Sequence, residues 1–134
     1  MKIALDIHGV VDSNYTFFAE LTQMFVSNDH EVHLLTGSKI TKELKQTLAE
    51  HCINWTHLFS ITDYHVKKKS GIKFDKNGHP WLDPYEWDKT KAEYCARNNI
   101  DLCLDDSDTY AYFFKTPYAR YYSRNSTRIR KMHI

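Results

Sequence analysis

The sequence predicts an α/β fold: a three-layer, doubly wound parallel sheet of about five strands in a single domain, with a small β-hairpin inserted. Three observations carry that expectation. Short apolar runs of strand length alternate with longer segments of helical periodicity. The first run, Ile3-Ala4-Leu5, is uniformly apolar, as suits a central strand covered on both faces. Asn77-Gly78, between two short extended runs, is a hairpin turn signal.

The first strand ends at Asp6, and Gly9 turns the chain out of it. From Ser13 to Asn28, Phe17, Phe18, Leu21, Met24 and Phe25 recur at the spacing of a core-facing helix. Asp12, six residues past Asp6, is a second candidate acid, but its place before that helix favours an N-cap. Glu31-Val32-His33-Leu34-Leu35 forms a second strand, ending at Thr36-Gly37-Ser38. A helix from about Thr41 to Cys52 turns Leu44 and Leu48 inward, and Thr56 to Ile61 forms a third strand. Thr62 to Tyr85 is the least regular stretch. Within it, Ile72-Lys73-Phe74 and His79-Pro80-Trp81-Leu82 flank the hairpin turn. Thr90-Lys91-Ala92-Glu93 has capping-box form and opens a helix to about Asn98. Ile100 to Leu104 makes the fourth core strand, running into Asp105-Asp106-Ser107-Asp108. A short helix from Thr109 to Phe114 and an outer fifth strand from Ala119 to Tyr122 complete the fold, followed by a basic tail over 123–134.

A length of 134 residues suits one domain with a real core, and 42% hydrophobic residues exclude a disordered chain. The net charge of +1 argues neither for nor against nucleic acid. Cys52, Cys95 and Cys103 are an odd set without CxxC spacing, which predicts buried free thiols, not a disulfide framework or zinc knuckle. His30, His33, His51, His57, His65 and His79 have no ligand spacing with those cysteines, so the sequence predicts no zinc site. No apolar run approaches the ~20 residues of a membrane span, and no secretory segment precedes Asp6. The expectation is a cytoplasmic protein without a membrane partner.

On that skeleton the polar residues converge. Asp6, Thr36 and the pair Asp105-Asp106 all follow strands, and in a parallel sheet such strand ends share one edge. Three carboxylates in one crevice call for a hard cation such as Mg²⁺. The Thr36 hydroxyl and the amides of Gly37 and Ser38 offer donors to an anion, with Lys91 as the opposing charge. A metal, a carboxylate nucleophile and oxyanion donors are the apparatus of phosphoryl transfer.

In the order of these groups the chain resembles the haloacid dehalogenase-like (HAD) superfamily of phosphohydrolases, whose core is Rossmann-like. The four motifs are matched by Asp6-Ile7-His8-Gly9-Val10-Val11, Thr36-Gly37, Lys91 and Asp105-Asp106-Ser107. The resemblance implies a phosphatase acting through an aspartyl-phosphate on Asp6. It implies Mg²⁺ on the Asp6 carboxylate, the His8 backbone carbonyl, Asp105 and Asp106, and phosphate held by Thr36, Gly37 and Lys91. Lys89 is the competing third-motif lysine; the capping box favours Lys91. Phosphatases of the superfamily carry a second aspartate two residues after the nucleophile, and here that position is His8. Imidazole, with an unperturbed pKa near ~6.5, can perform both proton transfers.

The hairpin region, approximately 62–86, falls where larger relatives insert a cap domain, and it is too short for a cap with its own core. This implies an open crevice with Tyr64, Lys67, Lys68, Lys69, Trp81 or Tyr85 near its rim. The implied substrate is a phosphorylated molecule, either a small phosphomonoester or a nucleic-acid end. The alternative is a catalytically weak module that binds phosphate or nucleic acid. In the tail, Arg120, Arg124, Arg128, Arg130 and Lys131 interleave with Tyr118, Tyr121 and Tyr122, as in single-strand binding surfaces.

Overall fold

In the computed structural model, which describes residues 1–124, apolar strands stack into one parallel sheet between two helical layers. The elements are β1 (Lys2–Asp6), α1 (Tyr15–Ser27), β2 (Glu31–Thr36), α2 (Lys42–Glu50), β3 (His57–Ser60), α3 (Ile61–Lys68), β4 (Lys73–Phe74), β5 (Pro80–Trp81), α4 (Pro84–Arg97), β6 (Leu102–Asp105), α5 (Asp108–Ala111) and β7 (Tyr118–Arg120). The sheet is five-stranded in the order β3-β2-β1-β6-β7, and every pairing in it is parallel. The architecture is therefore a Rossmann-like α/β sandwich. β4 and β5 form a separate antiparallel hairpin.

Alternation along the strands builds two cores. Ile3, Leu5, Val32 and Leu34 face one side, where they meet Phe18 of α1 and Leu48 of α2. Ala4, Leu35 and Cys103 face the other, against Ile61 of α3 and Tyr94 and Cys95 of α4. Burying a side chain the size of Phe18 contributes about 2–3 kcal/mol. From β1 the chain runs outward through β2 to β3, then returns to the other side of β1 with β6 and β7. The carboxyl ends of β1 and β6 thus flank the topological switch point, where open α/β sheets have their crevice.

Several local expectations are corrected. On α1, Phe18 and Thr22 are buried and Leu21 and Phe25 partly so, whereas Phe17 and Met24 are exposed. Thr22 fits the core because its hydroxyl donates to the Phe18 carbonyl and accepts from the Asn54 amide. The α1 cap is Asn14, whose side chain accepts from the Phe17 amide, and not Asp12. The stretch after β3 is not irregular: α3 starts there, capped by Ser60 accepting from the Asp63 amide. α4 begins at Pro84 with Asp83 as its cap, so Thr90 is interior and bonds back to the Glu86 carbonyl. Of the thiols, Cys95 and Cys103 are buried but Cys52 is exposed. No helix among the described residues is long and apolar enough to cross a membrane.

Candidate functional site

Strand alternation aims the two key acids. Asp6 and Asp105 end their strands on the same face as Ala4 and Cys103, the face covered by α4. Lys91, on that helix, reaches between them: its Nζ donates to Asp6 Oδ1 and to Asp105 Oδ2, each at 2.8 Å. All three side chains are nearly inaccessible to solvent. A buried lysine is tolerable only when paired in this way. Burial disfavours its charge, but Asp6 and Asp105 outweigh that and hold its pKa above the ordinary lysine value. The Asp6 carboxyl is pushed up to about 7, chiefly by burial; Lys91 opposes the shift and Asp105 adds to it.

The Asp105 carboxylate is fixed by a second bond, with Oδ1 accepting from the Ser107 amide at 3.0 Å. Asp106 is exposed and lies against Gly9. Gly9 has φ +94°, and a methyl group there would fall 2.2 Å from Asp106 Oδ2, so the turn needs glycine for both reasons. One oxygen from each of Asp6, Asp105 and Asp106 lies within 4.8 Å of the others. With the His8 backbone carbonyl in the adjoining turn, these groups can hold a hard cation through oxygen ligands.

α3 clamps the loop after β2. The Thr62 hydroxyl donates to the Gly37 carbonyl at 2.6 Å, and Asp63 Oδ2 accepts from the Ile40 amide at 2.9 Å. The Ser38 amide is not left for an anion, because it donates to Thr36 Oγ1 at 3.1 Å. That bond leaves the Thr36 hydroxyl proton as the donor of the pair. Gly37 is pressed by Trp87, whose ring would lie 3.0 Å from an added methyl. Trp87 Nε1 in turn donates to the Tyr110 hydroxyl at 2.8 Å.

His8 is more than half exposed at the mouth of the crevice. Its Nδ1 lies 3.3 Å from Asp12 Oδ2, while Asp12 Oδ1 accepts from the Gly9 amide at 2.8 Å. Asp12 therefore holds the imidazole and the turn together. That is the physical reason it is unavailable as the helix cap.

The structure thus brings Asp6, His8, Gly37, Lys91 and Asp106 to one open crevice; Asp105, bonded to Lys91, and Thr36 are buried and are not part of its lining. Lys89 points elsewhere, pairing with Glu86 and Glu93 and lying over the Tyr85 ring. The expected rim is corrected: Asp88, Thr109 and Tyr110 line the crevice instead of Tyr64, Trp81, Tyr85 or the 67–69 lysines. Trp81 and Tyr85 are exposed away from that lining, and Tyr64 packs on Phe59. Asp88 stands one helical turn before Lys91, a relation visible only once α4 is known to start at Pro84. Tyr118 and Tyr121 are structural, the first donating to the Ser107 carbonyl and the second packing on Phe18. Arg120 pairs with Asp108. Arg128, Arg130 and Lys131 lie outside the described residues. No protein-family model matches the chain, and none of the curated proteins matches it.

Proposed function

We propose that this chain is a small phosphohydrolase of the HAD-like type, a Mg²⁺-dependent phosphomonoesterase that works through an aspartyl-phosphate on Asp6. The observation that carries the reading is the Lys91 bridge between Asp6 and Asp105 at the switch point, beside the Thr36-Gly37 loop. A buried cation and two buried carboxylates at a crevice carry a desolvation cost, and their placement at the switch point favours a functional role over a structural one.

The oxygen donors fit Mg²⁺: one oxygen from each of three carboxylates lies within 4.8 Å of the others, and the missing side chain of Gly9 leaves room for Asp106. When bound, Mg²⁺ supplies charge that keeps Asp6 ionised and offsets the negative oxygens of the phosphoryl group. The protein does the rest. Lys91 holds the Asp6 carboxylate in orientation while its other oxygen attacks phosphorus, forming the O–P bond as the ester O–P bond breaks. His8, fixed through Nδ1 by Asp12, presents its other nitrogen to protonate the departing alkoxide. Water then attacks the acyl-phosphate, His8 takes its proton, and the Asp6 carboxylate and inorganic phosphate separate. Lys91, which lines the crevice, offers a donor to the phosphoryl oxygens throughout. Asp12 is a positioning residue in this scheme, acting through His8.

The test is hydrolysis of a panel of phosphomonoesters with and without Mg²⁺, with Asp6→Asn as control, together with binding of beryllium fluoride as the acyl-phosphate mimic. Mg²⁺-dependent turnover lost in Asp6→Asn supports the reading. Its absence across the panel, with no beryllium fluoride binding, would overturn it, as would an active Asp6→Asn variant.

A further inference from the structure

A second group of donors sits where β2 and β3 begin, at the end of the strands remote from the crevice. Glu31 and His33 are two residues apart on β2, so the pleat sends both to the face covered by α4. His57 is the direct neighbour of His33 across the parallel ladder. The two imidazoles stack with centroids 4.1 Å apart and planes 4° from parallel. Glu31 Oε1 lies 2.8 Å from His33 Nε2 and 3.9 Å from His57 Nδ1. One nitrogen of each ring and one Glu31 oxygen all fall within 4.8 Å of one another.

We propose that Glu31, His33 and His57 form a site for a divalent transition-metal ion of the Zn²⁺ class, separate from the acidic crevice. Two imidazoles and a carboxylate are a ligand set that such ions select, leaving a fourth position for water. A hydrogen bond behind the His33 ring holds its orientation, and the ion takes the place of the proton that Nε2 shares with Glu31. His33 Nδ1 lies 2.6 Å from the Tyr94 hydroxyl, which secures that side of the ring and directs Nε2 at Glu31. Such a partner orients a metal-binding imidazole. The Thr56 hydroxyl donates to the Val32 carbonyl, so in the metal-free protein it accepts from His57 Nδ1, 2.9 Å away; that nitrogen, the one facing Glu31, gives up this proton and bond when it takes the metal.

The site must adjust to close. A tetrahedral ion sets two nitrogen ligands roughly 3.3 Å apart, so His57 tilts out of the stack. Its side chain is 48% exposed at the first residue of β3, which gives it room. Lys2 Nζ, 3.9 Å from the other Glu31 oxygen, is the nearby cation that an incoming metal displaces toward solvent.

The test is titration of the full chain with Zn²⁺ by calorimetry and with Co²⁺ by visible absorption, in a Cys52→Ser background that removes the exposed thiol. Nitrogen-ligated Co²⁺ has d–d bands that distinguish it from an all-oxygen site. The expected result is a single equivalent bound with those bands, unchanged in Asp106→Asn and weakened more than about tenfold in His57→Ala and in Glu31→Gln. Because Glu31 and His57 are partly exposed, these variants leave the core intact. Absence of nitrogen-ligated Co²⁺ in the Cys52→Ser protein, or binding that survives His57→Ala unchanged, would overturn the proposal. Loss of phosphatase activity would not bear on it, since none of its three ligands enters the crevice.

Discussion

Replacing Asp6 with asparagine should make the metal-free protein more stable at neutral pH, and the gain should grow with pH. The Asp6 carboxyl titrates near 3.8 when unperturbed and is pushed up to about 7 in the fold, mainly by burial. Below both values the native and unfolded chains each carry the proton, and the group is silent. Between them the unfolded chain has released its proton while the native chain keeps it, so stability falls as pH rises. Above about 7 the deficit is complete. A shift of roughly 3 units at about 1.4 kcal/mol each sets its ceiling at about 4 kcal/mol. Asp6→Asn keeps an oxygen to accept from Lys91 and removes the titration. The measurement is urea unfolding of both proteins in a chelator from pH 4 to pH 8.5. Buried His33 and His65, whose pKa values are lowered chiefly by burial, slope the opposite way below about pH 6.5. They cancel in the difference between the two proteins. That difference should move steadily against the wild type as pH rises, and saturating Mg²⁺ should recover much of it for the wild type alone. Parallel pH profiles for the two proteins would refute the electrostatic account of the site.

Gly9→Ala should cost about 1–3 kcal/mol in urea unfolding, since it strains a left-handed backbone and drives a methyl into Asp106; a neutral effect would mean the turn is wrongly described. Lys91→Met should cost about 3–5 kcal/mol at pH 8 by leaving two buried carboxylates without their cation, and less at pH 5, where Asp6 is protonated. Equal losses at both pH values would point to packing instead of charge. His8→Ala should lower turnover by roughly 10² to 10⁴ on esters with poor leaving groups, and by less on p-nitrophenyl phosphate; equal rates for wild type and variant on the poor leaving group would reduce His8 to a spacer. Asp12→Asn should give a smaller loss on the same esters with an altered pH–rate profile, whereas an unchanged profile would limit Asp12 to holding the Gly9 turn.

The sheet was legible in the sequence because its strands are short and apolar and its crossover helices long enough to be periodic. The hairpin was legible because Asn77-Gly78 closes it: Gly78 has φ +80°, and Asp75 Oδ1 accepts from the Asn77 and His79 amides. α3 was not. Ile61-Thr62-Asp63-Tyr64-His65 is rich in residues equally at home in a strand, and the helix is only eight residues long. Its cap, Ser60 with Asp63 three residues on, is a signal that the apolar run before it conceals. The missed helix matters because it ties down the Thr36-Gly37 loop. The division of labour around His8 was illegible for another reason. Asp12 satisfies the sequence rules for a cap, and only the distances show that a turn amide and an imidazole claim it first.

The choice between the two lysines of α4 separates local rules from global ones. Thr90-Lys91-Ala92-Glu93 satisfies a capping box, yet Asp83-Pro84-Tyr85-Glu86 satisfies the same rule with proline at the first helical position, and that is where α4 starts. The box at Thr90 therefore gives a wrong reason for preferring Lys91. The sound reason is helical phase. Lys89 and Lys91 are separated by about 200° around the helix, so one faces the core when the other faces water. Lys89 has Glu86 and Glu93 at i−3 and i+4, the arrangement of a solvated face. Lys91 has Trp87 and Cys95 at i−4 and i+4, an apolar stripe that a lysine interrupts at the cost of burying its charge. A stripe interrupted in this way requires acids from elsewhere in the chain, and the strand ends at Asp6 and Asp105 supply them.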